Sequence, residues 1–323
     1  MKKKESNVEA IRTEKDKHKI AKEIMKTKYK FLVDNGLSNP LTKKEMGMML
    51  PNIDSKAELK YLTSTYKQTQ ENRIAMENIV RQYIVSNIPS DINIRVDDIP
   101  ISGDSLMYMY AITLNTENSL KKIIEDQTSK IPVCKWMQSL PGIGPNHSSQ
   151  LYSMIDINKA PTVGHIWSYA GIDTGGKYRE KGKKCTWNPQ FRSRLFLVGE
   201  SFIKAANTPD NIYYELYLEK KAIYKHRNNT GEMKENADIE LARIKKSKEP
   251  NKELIEIYES GKITDKHIDM MARRFMVKIF LSHLHYVWYK LEFGVEPPVP
   301  FAIAHLDHTH LYKVPNLDVV GLS

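Results

Sequence analysis

Cysteine is nearly absent from this chain, with two residues, Cys134 and Cys185, among 323. Two thiols exclude a disulfide framework and a cysteine-rich zinc module, and such sparing use fits a reducing compartment. No apolar run approaches the ~18 residues needed to cross a bilayer, so no membrane partner is expected. The opening residues, Met1-Lys2-Lys3-Lys4-Glu5, have lysines with no apolar core behind them, unlike a secretory signal. A cytoplasmic protein is the expectation. Acid is the scarcer charge: 39 Asp and Glu stand against 49 Lys and Arg, a net +10 with a pI near 9.2. That imbalance points to a polyanionic partner or an acidic surface. A hydrophobic content of 41% is enough for a core and excludes wholesale disorder.

What is present reads as mainly α, in two parts: a helical region over 1–130 and a second domain over 131–323. Residues 1–35 are lysine-rich, with Ile20, Ile24, Phe31 and Leu32 interspersed, and suggest one surface helix stopped at Gly36. Thr42-Lys43-Lys44-Glu45 is a capping box opening a short helix ended by Pro51. Ser55-Lys56-Ala57-Glu58 opens a long one. Along it Leu62, Tyr66, Thr69, Arg73, Met76, Val80 and Tyr83 recur in steps of three and four, the stripe of a helical hairpin or short coiled coil. Asp91–Asp97 alternates, with Ile92, Ile94 and Val96 on one side, as a lone strand would. A helical pair fills 104–139. Residues 229–266 alternate in charge and are poor in large apolar groups, which fits a solvated helical insertion or a flexible arm. A long helix runs from a Thr264 cap to Gly294, and an extended tail over 295–323 carries Pro297, Pro298 and Pro300.

The chemistry concentrates after residue 139. Leu140-Pro141-Gly142-Ile143-Gly144-Pro145 lies between two helical patterns, the arrangement of a helix-hairpin-helix. Pro145 suits the first helical turn, where a missing N–H costs nothing. Gly142 and Gly144 permit a tight turn and a close approach of backbone to ligand, and both are expected to serve binding more than folding. Ile143 anchors the turn. Free N–H groups at a helix start hold a phosphate oxygen and are blind to base identity. A tight turn with no ligand is the plainer reading of the same residues.

Thr162 caps a further helix through Ile166, Trp167 and Tyr169, stopped by Ala170-Gly171. Gly175-Gly176 then opens a loop with Lys177, Arg179, Lys181, Lys183 and Lys184. Asn188-Pro189 starts a helix that buries Phe191, Leu195, Val198 and Phe202 and sends Arg192 and Arg194 toward the loop. Such a cluster beside a phosphate-binding hairpin is an electrostatic footprint for nucleic acid, although a merely solvated basic loop has the same composition.

Leu140-Pro141-Gly142-Ile143-Gly144, Ser168-Tyr169-Ala170-Gly171-Ile172 and Gly175-Gly176-Lys177 together resemble the carboxy-terminal domain of the insertion-sequence 110 family of transposases. The resemblance covers roughly residues 135–207, with an echo at Ala272-Arg273-Arg274-Phe275. It implies DNA binding and recombination, often guided by a structured RNA. It also implies a RuvC-like amino-terminal domain holding metal through four acidic residues, and a serine nucleophile just before the Gly-Gly-Lys loop. Two departures bear on activity. Residues 1–130 read as helices without the buried, aspartate-ended strand of a RuvC-like domain. Thr174, preceded by Asp173, stands where the serine belongs. A threonine hydroxyl needs an activating base, and its methyl crowds the attack.

His305-Leu306-Asp307-His308-Thr309-His310 is dense in ligand-type side chains. His305, Asp307, His308 and His310, with His283 or His285 near in space, suit zinc, manganese or iron as a structural or water-activating divalent metal. Hydrogen bonding and aromatic packing are the alternative. The leading expectation is an accessory, non-catalytic DNA-binding protein. The competing ones are a recombinase using Thr174, a metal-dependent nuclease using the histidine cluster, and a binder of structured RNA. Expected partners are DNA, structured RNA, a second copy of the chain, or a RuvC-like protein.

Overall fold

The computed structural model describes residues 9–10, 14–34, 37, 56–88, 93–94, 104–173, 182–246, 251–298 and 312–322. The protein is mainly α and divides into two compact units, 1–127 and 128–323.

In the first unit α1 (Glu14–Asp34), α2 (Lys56–Asn87) and α3 (Asp104–Thr128) carry the fold. The sequence suggests a surface helix for the lysine-rich start, but α1 is a core element. Ile20, Ala21, Ile24 and Met25 share one face and are buried with Val80, Ile84 and Val85 of α2 and Met107 of α3. The lysines occupy the opposite face, so composition concealed a four-residue apolar stripe. On α2 the expected stripe holds, with Tyr66 and Val80 buried and Leu62, Thr69, Arg73, Met76 and Tyr83 half-buried. Its middle is tied by polar contacts: Arg73 donates through Nε to Glu117 Oε2 at 2.7 Å and pairs with Glu77 at 2.6 Å. Gln70 donates to Glu117 Oε1 at 3.1 Å. Of the expected lone strand only β2 (Asn93–Ile94) is described, and it is not alone. It pairs antiparallel with β1 (Glu9–Ala10), Glu9 opposite Ile94. The short helix expected after Thr42 lies outside the described residues.

In the second unit α4 (Pro132–Gln138), α5 (Pro145–Met154), α6 (Val163–Ala170), α7 (Pro189–Lys204) and α8 (Ile212–Asn229) pack with the long α11 (Asp265–Phe293). The ends of α11 follow from capping chemistry. Thr264 accepts a hydrogen bond from the His267 N–H, and Gly294 closes the helix in the left-handed conformation. Phe280 at its centre meets Phe202 and Tyr213 edge-on, at ring distances of 5.3 and 5.6 Å, and lies parallel to Trp136 at 6.4 Å. Residues 312–322 fold back on α4: Trp136 Nε1 donates to the Pro315 carbonyl at 2.8 Å, and the Asn316 amide donates to the Ser139 carbonyl at 3.1 Å.

The charged stretch after Asn229 forms α9 (Lys234–Ile244) and α10 (Lys252–Glu259). They bury Met233, Ala237, Tyr258 and Ile263 with Ile268 of α11. Asn228 fastens this insertion by donating to the Ile263 carbonyl at 3.0 Å and accepting from its N–H at 2.8 Å. Of the two readings of this stretch, the described residues show the helical one.

Candidate nucleic-acid interface

The hairpin between α4 and α5 is built from the inside outward. Val133, Cys134, Trp136 and Met137 bury nearly all of α4, and desolvation pushes the Cys134 thiol up to about 12, so it is an inert packing group. Gln138 Nε2 donates to Ser148 Oγ at 2.9 Å and links the two helices. Leu140 and Ile143 are buried, and the Ile143 N–H donates to the Leu140 carbonyl at 3.1 Å, closing the turn.

The two glycines have different jobs. Gly142 lies at φ +84°, and a Cβ there would fall 2.6 Å from the Ser201 carbonyl oxygen of α7. The space that the sequence reading reserved for a ligand is filled by protein backbone, so Gly142 serves folding. Gly144 has φ −98° and ψ −179°, an extended conformation open to any residue, and nothing lies within 4 Å of its Cβ position. Here the backbone does face open space.

Pro145 occupies the first position of α5, and no side chain caps the helix. The first helical hydrogen bond runs from Ser148 N–H to the Gly144 carbonyl at 3.1 Å. Among the described residues the N–H groups of Gly144, Asn146 and His147 have no acceptor. They bear the positive end of the helix dipole. Arg194, from α7, faces this end: with burial as the larger cause, its charge lowers the His147 pKa, leaving that imidazole neutral near pH 7. Arg194 makes no ion pair among the described residues.

The basic loop is pinned at its two ends. Gly171 caps α6 at φ +66°, and a Cβ there would meet Trp187 Cγ at 2.6 Å. The Asn188 N–H donates to the Tyr169 carbonyl at 2.8 Å, while its side-chain oxygen caps α7 by accepting from Phe191 N–H at 3.0 Å. Arg192 lies over the Trp187 ring at 5.7 Å. Lys183 and Lys184 are exposed. Thr174, Gly175, Gly176, Lys177, Arg179 and Lys181 lie outside the described residues. The structure thus brings Arg194 to the hairpin and Arg192 to the loop's root. Sequence reasoning missed the Trp187 clamp, which has no local signature because its partner is a bare glycine sixteen positions earlier by residue number.

His305, Asp307, His308 and His310 also lie outside the described residues. The helical histidines expected beside them are committed elsewhere. His283 Nε2 donates to the Tyr312 carbonyl at 3.1 Å, which leaves Nδ1 to accept from the Tyr213 hydroxyl at 2.9 Å. His285 Nε2 donates to the Ala160 carbonyl at 2.8 Å. Both are buried, and desolvation lowers the His283 pKa to about 4. These are core hydrogen-bonding groups. Among the described residues no group of three or more His, Cys, Asp or Glu side chains is placed to hold a metal ion.

No helix among the described residues is long and apolar enough to cross a membrane. No family model, curated protein or solved structure matches the chain.

Proposed function

We propose that the protein binds DNA through the phosphate backbone, using the α4–α5 hairpin and the basic loop before α7, and that it is an accessory, non-catalytic member of a recombination system. The observation that carries this reading is the uncapped start of α5. Among the described residues, three N–H groups without an acceptor sit beside an open Gly144 and an Arg194 without an ion-pair partner. Donors fixed on a backbone cost little to organise and complement an anion, which is how helix starts hold phosphate. They carry no base readout, so binding tolerates sequence. A purely structural turn gives no reason for a cation without a counter-ion at that spot.

Fluorescence anisotropy on duplexes of unrelated sequence tests this. Log affinity is expected to fall linearly with log salt, by roughly 0.9 per phosphate contact. Neutralising Lys177, Arg179, Lys181, Lys183 and Lys184 together is expected to flatten that slope without changing sequence preference. An unchanged slope removes the loop from the interface. A preference for structured RNA over duplex DNA at matched charge moves the assignment to that polymer.

A further inference from the structure

We infer that Lys278 and Arg274, one helical turn apart on α11, form a second anion site, which takes a phosphate group of a nucleic-acid strand at the foot of the basic loop. This rests on the nucleic-acid reading above but not on the hairpin.

Lys278 is half-buried, with Nζ 4.3 Å from the ring centroid of Trp167 on α6. Burial lowers its pKa, and Arg274 lowers it further. Asp173, just past α6, acts in the opposite sense but forms no ion pair with Lys278. Arg274 is exposed and likewise has no carboxylate partner among the described residues. Two other part-buried cations of this unit share a carboxylate: Lys221 lies 2.7 Å and Arg273 3.2 Å from Asp269. The Trp167 indole N–H, in the ring that Lys278 covers, is buried without an acceptor.

Among the described residues neither Lys278, Arg274 nor the Trp167 indole N–H has a hydrogen-bond acceptor, and the first two are like charges four residues apart. Each feature disfavours the free protein: partial desolvation of an ammonium, like-charge repulsion on a helix, and an unsatisfied N–H. A lysine whose stem merely covered an indole would carry its charge out to water. A phosphate oxygen between Lys278 and Arg274 offsets the first two costs at once, and the planar guanidinium suits phosphate in particular. The net charge of +10 favours a polyanion as its source.

The test uses the full chain with its lysines reductively dimethylated with a ¹³C label, which keeps their charge. The Lys278 resonance, assigned by its loss in Lys278→Met, is titrated with pH. The Lys278 pKa is expected to rise when either inorganic pyrophosphate or a short oligonucleotide is added, and Arg274→Gln is expected to suppress the rise. Lys278→Met with Arg274→Gln, which keeps both aliphatic stems, is expected to weaken oligonucleotide binding about tenfold and to lower the salt slope by about two contacts. Gly144→Val, which alters only the hairpin, is expected to leave the pyrophosphate response intact. Failure of the hairpin reading therefore shows as unchanged oligonucleotide affinity in that variant, with Lys278 still responding. An unmoved Lys278 at saturating oligonucleotide overturns the inference. So does a response to pyrophosphate alone, which marks a site for free phosphate, or an equal response to polyglutamate, which marks a site for acidic peptides.

Discussion

The two units solve the same problem, keeping long helices together, with different materials. Unit 1 ties the middle of α2 to α3 through Arg73, Gln70 and Glu117, and leaves Tyr61, Ile74, Ile79, Tyr108 and Met109 in solvent. Unit 2 surrounds α11 with aromatic rings and brings backbone to within a missing methyl of backbone, as Gly142 does at Ser201. A polar tie tolerates small shifts but depends on every partner being present. Close apposition tolerates no added atom. The difference shows which kind of sequence change each unit resists.

The largest expected effect adds atoms to unit 2. Gly142→Val combines a left-handed backbone with a carbonyl clash and is expected to destabilise the unit by about 3 kcal/mol or more. Gly144→Val is expected to stay within about 0.5 kcal/mol of the parent in the same denaturant melt. It should lose about tenfold in DNA affinity, the scale of one charge-assisted hydrogen bond. If both variants melt alike, the division of labour between the glycines is wrong. All four tryptophans, Trp136, Trp167, Trp187 and Trp288, belong to unit 2, so indole fluorescence reads that unit alone.

Acid offers a second separation. The folded-state pKa of His283, about 4, lies below its ordinary 6.5. The unfolded chain therefore takes up a proton first as pH falls. Stability from this group is intact above pH 6.5 and drains between 6.5 and 4, by on the order of 3 kcal/mol. The fluorescence-detected melt should fall across that window, and His283→Gln should flatten the fall. A curve equally steep in the variant assigns the acid sensitivity elsewhere.

In unit 1 the corresponding test removes a partner. Glu117→Leu strands Arg73 with Glu77 alone and is expected to cost roughly 1–3 kcal/mol. Circular dichroism of the helices should register the loss while indole fluorescence stays unchanged. A joint shift of both signals would show that the units melt together. The smallest expected effect is at Thr174: Thr174→Ala should leave DNA affinity and the melt as they were. Capture of a covalent protein–DNA adduct by the parent or by Thr174→Ser would instead establish a catalytic protein.

The same contrast decides what could be read beforehand. Helix ends are written in adjacent residues, so Thr264, Gly294, Asn188 and Gly171 were legible as caps and Pro145 as a first-turn residue. The buried face of α7 was legible for a similar reason, since Phe191, Leu195, Val198 and Phe202 repeat at helical spacing. What escaped depends on residues distant in sequence. Nothing near Gly142 says that Ser201 will fill its missing side chain, and nothing near His283 names Tyr213 and Tyr312 as its partners. α1 escaped for another reason, its lysines masking the buried Ile20, Ala21, Ile24 and Met25. At the site, the hairpin and its proline were legible. The open Gly144 and the placing of Arg194 beside His147 became visible only once α5 and α7 were set together.

The fold-back of residues 312–322 onto α4 has a consequence in time as well as in space. The Trp136–Pro315 hydrogen bond spans 179 positions, and a contact of that range forms only after the intervening chain has been made. During synthesis the hairpin emerges long before the segment that braces it. A nascent chain therefore holds α4 with its indole N–H and the Ser139 carbonyl unpaired until Pro315 and Asn316 have left the ribosome.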